Sequence, residues 1–339
     1  MRVLFAVPAA PERLHNMVPL GWALRAAGHE VQVAAPPRFA PRVNRTGLVA
    51  VEAGPDEPAP DGALAGPDAA ADLAAYLGVW RHDLLVWDSG APAAAAAAAE
   101  HGVPGARLLM PGEEYEDGAG HPAPGLVLDP TPPSLRTVAD SATRPLRHVP
   151  YDGPAVLPAW LGRAPKRIRV CLVLDGGRTP VAQVLAALPA LDAEVVARLA
   201  EDRIPPGASV PDNLRLVDEL PLSTVLSTCA AVVHDGSSAA AAAALAAGLP
   251  QLDLGGAESG TALARLLERH GAALTADTGD PDALGGQLGR LLADPALGAA
   301  ARRLGEENAA LPGPPRLASW LGDEVTATRP WKSGALLSD

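Results

Sequence analysis

A chain of 339 residues exceeds what one ordinary core organises and suits two domains of roughly 150 residues each. With 48% hydrophobic and 19% charged residues it reads as a folded protein, and a net charge of −12 with an isoelectric point near 5.1 excludes nucleic acid as a partner, since that affinity rests on Lys and Arg. Two cysteines, Cys171 and Cys229, sit far apart in apolar contexts and read as buried thiols, not as a disulfide or a metal pair.

The amino terminus lacks the apolar core and cleavage site of an export signal. No run approaches ~20 apolar residues outside alanine tracts, so a cytoplasmic protein without a membrane partner is expected. Residues 2–7 form an apolar run of buried-strand type, 17–27 carry apolar residues at helical spacing up to Gly28, and 30–34 give the next strand, a βαβ unit. Strand-like runs follow at 48–51, 83–88 and 106–110, with an alanine helix at 93–100, while the Pro-, Gly- and Asp-rich stretches 54–72 and 113–124 read as loops.

A proline-rich connector occupies 148–168, and a second series of strands follows at 168–174, 194–197, 214–217, 231–234 and 251–254. The predicted organisation is a first domain at 1–155, a linker at 156–168, a second domain at 169–328 and a tail at 329–339. The halves echo each other: Val86-Trp87-Asp88-Ser89-Gly90, alanines and His101-Gly102-Val103-Pro104 parallel Val233-His234-Asp235-Gly236, alanines and Ala247-Gly248-Leu249-Pro250. Two doubly wound α/β domains should therefore face one another, with ligands at the carboxyl ends of the strands.

The run Val232-Val233-His234-Asp235-Gly236-Ser237-Ser238 ends a strand, turns and opens a helix. Free backbone N–H groups and a helix N-terminus then converge on one point, which is how a phosphate is held. His234, Gly236, Ser237 and Ser238 are the candidate ligands, and the Asp235 carboxylate in the same turn works against them. A dinucleotide cofactor is excluded, because the loop after the first strand, Pro8-Ala9-Ala10-Pro11-Glu12-Arg13, holds no glycine.

Arg2-Val3-Leu4-Phe5 followed by Met17-Val18-Pro19-Leu20-Gly21-Trp22-Ala23-Leu24-Arg25-Ala26-Ala27-Gly28-His29-Glu30-Val31 resembles the amino-terminal signature of bacterial GT-B glycosyltransferases that decorate antibiotics with deoxysugars. Asp129-Pro130-Thr131-Pro132-Pro133, His148-Val149-Pro150-Tyr151-Asp152-Gly153-Pro154, Asn213-Leu214-Arg215-Leu216-Val217 and residues 229–234 are similar to further family blocks in the same order. The resemblance implies a GT-B fold of two facing Rossmann-like domains, the first for a small-molecule aglycone and the second for a nucleoside-diphosphate sugar. It implies neither cofactor nor metal, and a final helix near 317–328 that crosses back to the first domain.

The departures from the family pattern fall at the expected site. The base that deprotonates the acceptor in such enzymes would fall at Arg13, and a guanidinium does not accept a proton. Glu12, His15 and Asp88 are the alternatives, with His15 equally readable as a helix-entry side chain. The family's His-His-Gly-Gly-x-Gly-Thr stands here as His234-Asp235-Gly236-Ser237-Ser238-Ala239-Ala240. Arg178 is a candidate phosphate ligand, Glu258 a candidate for the sugar hydroxyls, and Glu219 stands where an aromatic residue often helps place the base. The loops that would shape an acceptor pocket are short.

Losses at base, diphosphate and sugar positions together lead to an expected auxiliary subunit, catalytically impaired and associated with an intact glycosyltransferase paralogue or with itself. Trp80, Trp160, Trp320 and Trp331 are candidate anchors for that contact. The alternative is an active inverting glycosyltransferase with a rearranged site.

Overall fold

The computed structural model describes residues 1–57, 62–115, 122–136, 143–175, 179–217, 221–255, 261–276 and 281–328. Two parallel sheets organise it. The first has seven strands: β1 (Arg2–Ala6), β2 (Glu30–Ala35), β3 (Val49–Glu52), β4 (Leu84–Asp88), β5 (Gly105–Leu108), β6 (Leu126–Asp129) and β7 (Thr143–Pro145), in the order β3-β2-β1-β4-β5-β6-β7. The second has β8 (Ile168–Val173), β9 (Ala193–Arg198), β10 (Leu214–Leu216), β11 (Ala231–His234), β12 (Gln251–Asp253) and β13 (Ala273–Thr275), in the order β10-β9-β8-β11-β12-β13. Each reverses direction beside its first strand, between β1 and β4 and between β8 and β11, and such reversals open the crevices in which α/β proteins bind ligands.

Both faces of each sheet are covered, which is why the strands read as continuous apolar runs. Along β1, Val3 and Phe5 pack with α1 (Pro11–Ala26), while Leu4 and Ala6 face α3 (Gly66–Trp80) and α4 (Ala93–His101) on the other side. Along β8, Val170 and Leu172 enter one core and Cys171 and Val173 the other. Cys171 and Cys229 are free thiols, and burial raises the Cys229 thiol to about 11.

Alanine dominates α4 and α7 (Ser238–Ala247) because neighbours press closely on them. Ala240 to Leu245 are all buried, and a Cβ at Gly305 on the helix Pro295–Ala310 would come within 2.7 Å of the Gly248 Cα at the end of α7. Both helices end on a left-handed glycine, Gly102 at φ 61° and Gly248 at φ 67°, before a proline and the next strand. The repeat seen in sequence is thus a repeat of helix termination.

Two elements differ from the sequence reading. Helix α1 begins at Pro11, not near 17, because proline at its N-terminus and Glu12 in its first turn suit a helix start. Helix α3 begins at Gly66, inside the stretch read as loop, for the same reasons with Pro67 and Asp68. The helix Pro314–Thr328 crosses back to the first domain as the resemblance implied, packing Leu317, Ala318, Leu321 and Val325 into its core against Leu14 and Met17. Among the described residues no helix is long and apolar enough to cross a membrane.

The domains are tied at several points. His148 and Asn308 exchange backbone-to-side-chain hydrogen bonds at 3.0 and 3.1 Å, and Asp152 accepts from the backbone N–H of Ser223 at 2.9 Å and from its hydroxyl. Leu135 of the first domain sits in a core of the second with Ala241, Leu245 and Leu263.

Candidate functional site

One cavity of about 500 Å³ lies between the sheets, and chain leaving the strand ends of both supplies its walls. The first domain contributes Glu12, His15 and Asn16 of α1 and Met110 after β5. Pro150, Tyr151 and Asp152 come from the connector. The second contributes Asp175 after β8, Arg198 at the end of β9, and Asp235 to Ala239 after β11.

The first turns of α1 divide the candidate bases. Residues 13 and 15 are roughly 200° apart around a helix, so Arg13 and His15 point to different neighbours. Arg13 turns into its own domain, where Nη1 donates to Asp88 Oδ1 at 2.7 Å and to Ser89 Oγ at 2.6 Å, with Glu113 at 3.8 Å. Burial weighs against the Arg13 charge, and Asp88 beside it more than offsets this.

His15 faces the cavity. Its ring meets that of Tyr151 edge to face at 5.1 Å, and partial burial lowers its pKa against the opposing pull of Asp152 and Glu12. Pro19 on the next turn has no N–H to donate to the His15 carbonyl, which loosens the helix backbone there.

Asp88 is corrected as a candidate base. It is 0% exposed and does not line the cavity, because its Oδ1 accepts from Arg13 and from the Gly90 N–H at 2.7 Å. Burial raises its pKa to about 6 in spite of Arg13. It fixes Arg13 and the turn after β4.

The anion turn keeps its backbone geometry. Gly236 adopts φ 83°, and Ser237 caps α7 by accepting from the Ala240 N–H at 3.3 Å. Ser238 and Ala239 open the helix beside it, so its first N–H groups and two serine hydroxyls point to one place. Asp235 lines the same cavity.

His234, expected in the cradle, lies behind it. Its ring is fully buried, with Nδ1 accepting from the Gly236 N–H at 3.3 Å and Nε2 donating to Gln251 Oε1 at 3.1 Å, and Gln251 donates on to the Ala241 carbonyl. Burial lowers its pKa, which matches a neutral ring with one donor and one acceptor nitrogen. His234 therefore stiffens the turn and does not face the cavity. Arg178, Glu219 and Glu258 lie outside the described residues.

Sequence reasoning missed Arg198, Tyr151 and Asp152 as lining residues. Arg198 bonds the Asp175 carboxylate through Nε at 3.1 Å and through Nη2. The available signal was a charged residue closing an apolar strand at the ligand-facing end. Of the tryptophans, Trp80 is 43% exposed at the end of α3. Trp160 lies under Arg169 and Arg215, Trp320 under Arg144, and Trp331 is outside the described residues.

Comparison with known proteins agrees with this arrangement. Residues 182–323 match the pattern described as "Erythromycin biosynthesis protein CIII-like, C-terminal domain", and residues 22–61 and 122–175 match the N-terminal domain of the same family. Aclacinomycin-T 2-deoxy-L-fucose transferase of Streptomyces galilaeus is 33% identical, with 93% of this chain and 94% of the relative covered. That alignment runs over 415 positions against a chain of 339, so the relative carries segments without a counterpart here. The crystal structure of the glycosyltransferase VinC in complex with DTDP matches with a TM-score of 0.83 at 30% identity, covering 96% of this chain and 100% of VinC. Spinosyn forosaminyltransferase SpnP matches with a TM-score of 0.85 at 30% identity over 96% and 99%. With these matches and its two parallel-sheet domains, the chain belongs to the erythromycin biosynthesis protein CIII-like family of GT-B antibiotic deoxysugar glycosyltransferases.

Proposed function

We propose that this chain transfers a deoxysugar from a nucleoside diphosphate to a hydroxyl of a small acceptor, with His15 as the general base. The observation that carries the reading is His15 itself: a histidine with a lowered pKa, on the wall of the same cavity as the N-terminus of α7. A neutral imidazole takes the acceptor proton as its oxygen attacks the anomeric carbon. The bond from that carbon to the diphosphate breaks, and its electron pair leaves with the diphosphate. The N–H groups and serines that open α7 meet the charge, with Arg198 in the same cavity.

The test is turnover of a thymidine-diphosphate deoxysugar with a panel of hydroxylated acceptors. His15→Ala should lower kcat by roughly 10²–10⁴-fold while leaving thymidine diphosphate affinity in place. Equal turnover by the variant removes His15 from the reaction.

A second reading, the auxiliary subunit, is favoured by the Arg13–Asp88 ion pair at the place of the family's base and by the carboxylate of Asp235 in the anion turn. On that reading the chain turns over no donor alone and copurifies with an intact paralogue through an interface of about 1,200–2,000 Å². Light scattering of the chain with and without that paralogue separates the two.

A further inference from the structure

Beside the main cavity, on the far side of His15, lies a smaller one of about 220 Å³ that both domains build. Arg42 and Arg45 reach it from α2 (Ala40–Arg45) of the first domain, and Arg198 reaches it from the second. Its remaining surface is largely apolar, with Leu14, Tyr151 and Pro154. His15, Tyr151, Asp152 and Arg198 line both spaces, so the two adjoin.

The charges do not cancel. Arg198 holds Asp175 through Nε and Nη2, which leaves the Nη1 hydrogens to the cavity. The Asp152 carboxylate, which also lines the cavity, accepts from Ser223 and keeps its charge, so three guanidiniums stand against two carboxylates. Arg42 and Arg45 have no ion pair or hydrogen bond among the described residues, although the chain as a whole carries twelve more negative than positive charges. Two unpaired guanidiniums beside a third, against an aromatic wall, form a site for a carboxylate on a flat ring.

We infer that this cavity binds the acidic group of the acceptor, so that the acceptor is an aromatic or conjugated acid whose reacting hydroxyl lies past His15 in the main cavity. The smaller space is below the ~300–1,000 Å³ of a pocket that encloses a whole ligand. It takes one end of the molecule, and the rest reaches the donor. The identity of the ligand as an acceptor rests on the function proposed above; the existence of the anion pocket does not.

Calorimetry with 4-hydroxybenzoate and its uncharged counterpart 4-hydroxybenzamide tests the inference on the full chain. The acid should bind at least about tenfold more tightly than the amide, and the Arg42→Gln/Arg45→Gln double variant should lose that preference. Both arginines are exposed, so the variant's melting curve should match the unmodified protein. Equal binding of acid and amide, or a preference that survives in the variant, overturns the proposal. So does displacement of the acid by equimolar inorganic phosphate, which would make this a site for the free ion. Thymidine diphosphate affinity should be the same in both proteins; a parallel loss in the variant would assign the pocket to the donor and overturn the inference. If thymidine diphosphate fails to bind either protein while the preference for the acid stands, the transfer reaction is lost and the anion pocket is retained.

Discussion

Arg13 and Asp88 meet at 2.7 Å across the first domain's strand-end crevice, joining the first turn of α1 to the end of β4. The carboxylate is fully buried and the guanidinium is about a third exposed, so their separation leaves an uncompensated charge mainly on one side.

Removing the cation, which leaves the buried carboxylate unpaired, should therefore destabilise more than removing the carboxylate. Arg13→Ala is expected to cost about 2–4 kcal/mol, since it leaves the buried Asp88 carboxylate without its cation. Urea unfolding at pH 7.5 reads this directly, and a loss below about 1 kcal/mol would show that the pair holds little structure.

The same pair supplies a gain-of-function experiment. Arg13→His places an imidazole beside Asp88, which orients such rings and stabilises their protonated form. On the proposed reading, in which His15 on the other face of α1 is the base, turnover should rise at least about tenfold. An unchanged rate would mean that the acceptor hydroxyl never approaches position 13.

On the proposed reading, the negative charge of Asp235 opposes a diphosphate at this turn. Asp235→Asn keeps the size and removes the charge, so thymidine diphosphate should bind several-fold more tightly, with a larger gain at low salt where screening is weak. Equal affinity of the two proteins across 20–500 mM salt, a range on the order of the screening scale, would place the diphosphate away from this turn.

Gly112 takes φ 77°, and a Cβ there would lie 2.7 Å from the Leu263 Cα of the second domain. Gly112→Ala combines backbone strain with a backbone clash across the domain boundary, at a cost of about 1–3 kcal/mol. The expected result is a melting temperature lower by a few degrees and a larger radius of gyration in X-ray scattering. A variant as compact and as stable as the parent would mean that the domains adjust without strain.

His82 is buried, with its Nε2 3.0 Å from Gln32 Oε1, and burial, then Arg2, lowers its pKa to about 4. A histidine depressed in the folded state stabilises above its ordinary pKa, and that contribution is lost as pH falls from about 6.5 through about 4. The loss is at most about 3 kcal/mol. Stability measured between pH 7 and 4 should fall less steeply in His82→Gln, and identical slopes would assign the acid sensitivity to other groups. Asp88 acts with the opposite sign, since its raised pKa gives stability below its ordinary value that is lost as pH rises through about 6.

The alternation of apolar runs with helical spacing was enough to set two parallel sheets. A strand buried on both faces, such as β1 or β8, has no polar positions to hide its pattern. Gly102 and Gly248 were legible as helix ends because few residues accept a left-handed backbone, and Gly236 marked the anion turn for the same reason. Strands β6, β7 and β13 were not read from the sequence; in β7 the run Thr143-Arg144-Pro145 has no apolar pattern to register.

Direction of side chains was what only the tertiary structure decided. Glu12, Arg13 and His15 are adjacent in sequence, and which of them meets the cavity follows from a helix start at Pro11 and from a partner, Asp88, 75 residues away. His234 stands in the phosphate motif, yet Gln251 and the Gly236 N–H turn its ring inward. Arg42, Arg45 and Arg198 lie in two domains and converge only when those domains dock. Sequence pattern records local periodicity, so it specifies which elements form. Charge pairing and docking act between residues distant in the chain, and they determine which chemistry each element presents.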